Sequence, residues 1–170
     1  MSEALADRTF ALLAQAEVPG VVALALPLAR RCEFLRDVVA HLIPSRVVFY
    51  DAEFVYAPAD LVSLLGRFAA ATDWAWKVED GHAAFDNSGV QRVATVRFRW
   101  RAEFVEWKFI QETDWVAADF EQRIVDFARA ELPGEFIALP FVDQAMAFIY
   151  LEQPAAENFR RLISELPDRR

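Results

Sequence analysis

The chain has 170 residues, 55% hydrophobic and 14% aromatic, including 15 Phe and 5 Trp. A domain of this size buries about two-thirds of its unfolded surface, so the composition excludes a disordered chain and predicts a single domain over 1–170, frayed only at 1–2 and 167–170. The formal charge of -8, from 26 acidic against 18 basic residues, sets up a field that repels phosphate backbones and argues against nucleic acid as the main partner.

In chain order, Leu5, Leu12, Leu13 and Ala16 recur at helical spacing over 3–17, and Pro19-Gly20 ends that helix. Acids stand where a secretory signal carries basic residues, and Asp7, Arg8 and Gln15 interrupt the apolar run. The next stretch, VVALALP, has no polar side chain, which predicts a central strand at 21–26 covered on both faces. The apolar run from Val21 to Ala29 is about half the roughly 20 residues that cross a bilayer, so no membrane span is expected. From Pro27, the stripe Leu28, Cys32, Leu35, Val39 and Leu42 predicts one continuous helix, closed by Pro44. The run RVVFYDAEFVYA reads as a strand, and Pro58 opens a helix with Leu61, Leu64, Leu65 and Phe68 on one face.

The middle changes character. Turn signals at Asp80-Gly81 and Asn87-Ser88-Gly89 separate strand-like runs and predict an antiparallel meander. Its apolar parity runs Val96, Phe98, Trp100, Ala102, Phe104 and then Val105, Trp107, Phe109, which demands a bend near Ala102–Val105. A helix capped at Thr113 follows, with Val116, Phe120, Ile124 and Phe127 on one face up to Pro133-Gly134. The segments EFIALPF and QAMAFIYL predict a C-terminal hairpin connected near Val142-Asp143, and Pro154 starts a last helix carrying Phe159, Leu162, Ile163 and Leu166. The expected fold class is therefore α+β: a mostly antiparallel sheet, made of the central meander and the C-terminal hairpin, covered by about five helices.

No motif in these residues fixes a chemistry. Arg97, Arg99 and Arg101 project from one face if 96–104 is extended, about 7 Å apart, as a stripe able to clamp a carboxylate or phosphate. The competing reading pairs them with Glu79, Glu103 and Glu106 across neighbouring strands. Asp51 and Glu53, two apart on a strand, bring two carboxylates within about 7 Å, a spacing compatible with acid pairs in glycoside hydrolysis or with carboxylates sharing a metal. His82 beside Asp80 and Asp86 is a weak base candidate with no nucleophile to complete it. Cys32 on the apolar stripe reads as a small hydrophobe, and a lone cysteine forms no internal disulfide, which points to a reducing cytoplasm. Trp74 and Trp76 on one strand face, or Trp107 beside Phe109, offer an aromatic anchor for a protein partner.

Neither metal nor cofactor is expected: there is no Cys/His cluster at zinc spacing and no glycine-rich phosphate loop. The chain thus reads as a cytosolic, non-catalytic protein-binding module with an acidic and aromatic surface, comparable in composition alone to small acidic inhibitors and immunity proteins. The alternatives are an enzyme using Asp51 and Glu53 with a strand arginine, and a homodimer joined at a sheet edge or an aromatic patch.

Overall fold

The structure is a computed structural model and describes residues 2–140 and 144–165. Its first half consists of α1 (Ser2–Gln15), a 3-10 turn (Ala23–Ala25), α2 (Leu26–Ala29), α3 (Leu35–Leu42), a second 3-10 turn (Pro44–Arg46), β1 (Val47–Asp51) and α4 (Pro58–Ala71). The second half comprises β2 (Glu79–Asp86), β3 (Val93–Trp100), β4 (Glu103–Ile110), α5 (Ala118–Glu131), β5 (Gly134–Ala138), β6 (Ala145–Glu152) and α6 (Ala155–Ser164). α4 shows how local sequence specifies an element. Pro58 occupies the first turn, the Asp60 carboxylate accepts from the Ala57 and Tyr56 amides at 2.7 and 2.9 Å, and the expected stripe Leu61, Leu64, Leu65 and Phe68 is buried.

The strands form two antiparallel sheets, ordered β1-β6-β5 and β2-β3-β4. Alternate residues of β6 point to opposite sides. Ala147, Ile149 and Leu151 pack with α1, α3 and α6, while Phe148 and Tyr150 pack with α4, α5 and the inner face of the second sheet. The chain thus stacks four layers, helices, sheet, helices and sheet, with α4 and α5 in the middle of the sandwich. The central filling is aromatic: the Phe68 ring lies 4.9 Å from Phe136 and 5.3 Å from Phe148, and Phe98 meets Trp107 at 5.0 Å. The outer face of the second sheet carries His82, Arg97, Glu106 and Lys108 to solvent.

Several sequence-based expectations hold. The meander is present, the turn after Asn87 joins β2 to β3, and the parity switch is resolved by a tight turn at Arg101-Ala102, where Arg101 adopts φ +56°. Others are corrected. The meander and the C-terminal hairpin do not share one sheet, because β1 joins the hairpin and α4 and α5 separate the two halves. The run at 21–26 is no strand: Ala and Leu are strong helix formers, and the segment coils into the 3-10 turn and α2. The helix expected from Pro27 to Leu42 is split at Arg30–Phe34, which raises the helix count to six among the described residues, and Leu28 faces solvent. Asp80-Gly81 is a bulge inside β2 rather than a turn, with one extra residue between the pairs Glu79/Arg99 and His82/Arg97 and Asp80 at φ +50°.

The helix expected at Thr113 begins only at Ala118. The Thr113 and Trp115 carbonyls are taken by the buried Gln111 amide at 2.8 and 2.5 Å, and the Thr113 hydroxyl accepts from the Trp115 amide, so these groups serve a loop. The strand expected over 46–57 ends at Asp51. α1 starts at Ser2. The expected fraying at 1 and 167–170, the connection near Val142-Asp143 and the contact of Leu166 lie outside the described residues.

Candidate functional site

The arginines that interrupt the apolar meander do not form a free stripe of three. Arg97 and Arg99 lie on the outer face of β3, but Arg101 sits in the following turn with its own direction. Each is engaged within the fold. Arg99 pairs with Glu79 at 3.3 Å and Asp80 at 3.1 Å, Arg101 with Glu131 at 3.6 Å, and the Arg97 guanidinium lies 4.0 Å over the Phe104 ring with Glu106 opposite in register. Glu79 is thus the cross-strand partner the sequence suggests, whereas Glu106 pairs with Lys108 at 3.3 Å.

His82 is exposed on β2, opposite Arg97. The two acids available to it are used elsewhere: Asp80 by Arg99, and Asp86 by the Ser88 amide at 2.9 Å, whose hydrogen bonds hold the Asp86 carboxyl below its ordinary range. The tryptophans divide. Trp107 and Trp76 are core residues, the latter fully buried against Phe127 and Phe98. Trp74 is 66% exposed but shares no strand face with Trp76, because residues 72–76 are a turn in which the Thr72 hydroxyl accepts from the Trp76 amide. Cys32 is half-buried, and burial raises its thiol pKa, with the nearby Asp37 charge acting in the same direction.

Asp51 and Glu53 do come together, and with residues far away in sequence. β1 ends at Asp51, whose carboxylate accepts from the Glu53 amide at 2.9 Å and turns the chain. Glu53 then forms an isolated antiparallel bridge with Trp115, fixed on either side by Val116 N–H to Ala52 C=O at 2.8 Å and Phe54 N–H to Asp114 C=O at 3.0 Å. The Trp115 indole N–H donates to Glu53 Oε1 at 3.0 Å, and Gln144 Nε2 approaches the same oxygen at 3.5 Å. The Tyr56 hydroxyl donates to the Glu53 carbonyl at 3.1 Å. Beneath them the buried Gln111 holds the loop, and Arg92 clamps the Gln111 and Thr113 carbonyls at 2.5 and 2.6 Å.

The result is a rigid, acidic surface with aromatic lips. Trp115 is 41% and Tyr56 73% exposed, and Asp51, Glu112 and Asp114 face solvent around them. An open groove of about 620 Å³ runs beside Trp115, lined also by Ile110, Lys108, Glu112 and Asp119. None of Arg97, Arg99 and Arg101 forms an ion pair with Asp51 or Glu53; Arg99 and Arg101 are paired with Glu79, Asp80 and Glu131 instead. Sequence reasoning found Asp51 and Glu53 but missed Tyr56, Trp115, Gln144 and Asp114 as their neighbours. The signal in the sequence was the density of aromatics in FYDAEFVYA and TDW, without the pairing that joins them.

A second polar cluster lies on the opposite side of the sandwich. Glu135, buried on β5, accepts from Arg160, pairs with Arg129 at 3.6 Å and accepts from Gln153 at 3.1 Å. Between the sheets the Tyr50 hydroxyl donates to Glu121, and burial raises the pKa of both groups. Both are satisfied internal pairs. Among the described residues no group of three or more His, Cys, Asp or Glu is placed to hold a metal ion, and no helix is long and apolar enough to cross a membrane.

No protein-family model, no curated protein and no solved structure matches this chain. Its functional reading therefore rests on the geometry above.

Proposed function

We propose that the chain is a non-catalytic protein-binding module that receives a basic segment of a partner protein on the surface formed by Tyr56, Trp115, Asp51, Glu53, Glu112 and Asp114. The carrying observation is the exposed Trp115 ring, locked to Glu53 through its indole N–H at 3.0 Å and to the loop backbone below. An immobilised tryptophan loses little rotamer entropy on binding, and the surrounding carboxylates complement Lys or Arg side chains, which also stack on aromatic faces. The net charge of -8 steers a basic partner toward the molecule. A cytosolic setting fits the single cysteine.

The alternative, hydrolytic or small-molecule chemistry at Asp51 and Glu53, draws less support. Asp51 is spent on turning its own backbone and Glu53 on orienting an indole, which leaves no pair of free carboxylates facing one substrate position.

The test is capture of a stoichiometric partner from native lysate by wild type, Trp115→Ala, Tyr56→Ala and Arg97→Glu proteins, each checked for an unchanged unfolding midpoint. Loss of Trp115 is expected to weaken capture by roughly 30-fold, the effect of an interface anchor worth about 2 kcal/mol, and added salt weakens it further. Arg97→Glu leaves capture intact. Capture retained in Trp115→Ala and lost in Arg97→Glu would move the binding surface to the outer face of the second sheet.

A further inference from the structure

The apolar run from Val21 to Ala29 enters neither sheet, and most of it is not buried. Val21, Leu26 and Ala29 pack into the cluster under the first helical layer, while Val22, Leu24 and Leu28 point outward. Leu24 is 94% and Leu28 51% exposed, and Ala23 and Pro27 beside them also face solvent. This is a built ledge and no loose loop. Val22 N–H donates to Leu42 C=O at 2.7 Å, Ala25 N–H to Val22 C=O at 3.0 Å, and Arg30 at the end of α2 is tied to Asp7 of α1 at 2.8 Å. A fixed, contiguous apolar surface of this kind marks a contact site, since leaving several large apolar side chains in water gains nothing for the fold itself.

We propose that the ledge is a two-fold contact between two copies of this chain. Its rim decides the occupant. Arg31 lies just past Leu28, one turn on, with Glu33 two residues further, and Glu17 precedes the segment; all three are exposed. Among the described residues none of the three has an ion-pair partner, whereas neighbouring Arg30 and Arg36 are paired with Asp7 and Asp37. Unpaired Arg31 after the segment and unpaired Glu17 before it give the two ends of the ledge opposite charges, which is complementary to a second copy turned end for end. A two-fold axis through Leu24 sets the Arg31 of each copy against the Glu17 of the other while the two apolar ledges meet, which is the symmetry an isologous contact requires. A lipid surface fits this rim poorly, because anionic headgroups repel Glu17, Glu33 and a chain of charge -8. A basic partner segment matches the acidic surface around Trp115 better than a rim that holds an unpaired arginine. The contact is independent of the Trp115 surface, so either can fail without the other.

Sedimentation velocity across low to high micromolar concentrations tests this on wild type, Leu24→Glu and Arg31→Glu proteins. Leu24 touches little of its own chain, so Leu24→Glu is expected to keep the wild-type unfolding midpoint. The expected result is a concentration-dependent dimer whose dissociation constant rises at least tenfold in Leu24→Glu and severalfold in Arg31→Glu. A wild-type protein that stays monomeric at high micromolar concentration overturns the proposal, as does a dimer that persists undiminished in Leu24→Glu. Co-flotation of a monomeric wild type with neutral phosphatidylcholine vesicles, lost in Leu24→Glu, would overturn it in favour of a lipid surface.

Discussion

Trp74 and Trp76 stand two residues apart, yet their substitution should differ in cost by several kcal/mol. Trp76 is fully buried, with Phe127 at 4.8 Å and Phe98 at 5.8 Å. A tryptophan side chain removes about 150–250 Å² from water, which at roughly 25 cal/mol/Å² amounts to about 4–6 kcal/mol. One term lowers this figure. The Trp76 indole N–H meets no acceptor among the described residues, and deleting an unsatisfied buried donor returns about 1–3 kcal/mol. The expected cost of Trp76→Ala is therefore about 1–5 kcal/mol, centred on about 3 kcal/mol, where the usual range for truncating a buried aromatic begins. Trp74 is 66% exposed and holds φ +65°. Its remaining contacts are worth at most about 1–2 kcal/mol, and a left-handed backbone costs an L-residue a similar amount. Trp74→Gly removes both, so its net effect should lie within about 1 kcal/mol of zero. Urea unfolding followed by far-ultraviolet circular dichroism, with slopes compared so that a change in the unfolded state is detected, measures both. A Trp76→Ala cost under about 1 kcal/mol, or a Trp74→Gly cost above about 2 kcal/mol, would refute the division of these tryptophans into core and surface.

Two glycines and one carboxylate supply further tests. A Cβ at Gly134 would lie 2.6 Å from the Leu151 carbonyl oxygen and 2.8 Å from the Tyr150 ring, so Gly134→Ala should cost about 1–3 kcal/mol or more by forcing β5 from β6. Gly66 in α4 has open space at that position, and Gly66→Ala should stabilise by about 0.5–1 kcal/mol; equal effects at the two sites in thermal unfolding would contradict the packing described. Burial holds the Glu121 carboxyl above its ordinary range, against the opposing effect of the Tyr50 hydrogen bond. Between its unfolded and folded values the native state therefore binds the extra proton, so this group's contribution is fully present below the ordinary carboxylate range and is lost as pH rises through the folded value. Glu121→Gln keeps an acceptor for Tyr50 and removes the titration. It should gain stability relative to wild type at neutral pH, with the gain shrinking as pH falls into the carboxylate range. A difference independent of pH would refute the assignment.

Local signals predict what local physics decides. The Pro58 start and leucine stripe of α4, the turn after Asn87 and the parity switch resolved at Arg101-Ala102 are each encoded within a few residues, and each is found in the structure. Where a segment could satisfy two periods, neighbours far off in the chain decided. Ala and Leu in VVALALP are as compatible with a helical turn as with a buried strand, and the amide of Val22 is taken by Leu42 from α3 instead of by a strand neighbour. Thr113 reads as a helix cap, but Gln111 and the bridge to Glu53 recruit the same backbone for a loop.

The candidate site follows the same division. Asp51 and Glu53 are visible in the sequence because a strand places alternate residues on one side. The Glu53 partner Trp115 lies 62 residues away, and that contact depends on how β1 ends against the loop before α5. The arginines of the meander are equally legible as residues, but whether they are free or paired turns on cross-strand register, a bulge at Asp80 and a turn at Arg101. Composition and periodicity by themselves determined an acidic α+β chain with an aromatic core, because burial of apolar stripes depends on spacing along the chain. Only the tertiary structure decided that the strands divide into two sheets, that the arginines are engaged, and that Trp115 and Leu24 remain at the surface. Those outcomes depend on which stripe meets which, and that pairing is set by contacts between residues that no local window contains.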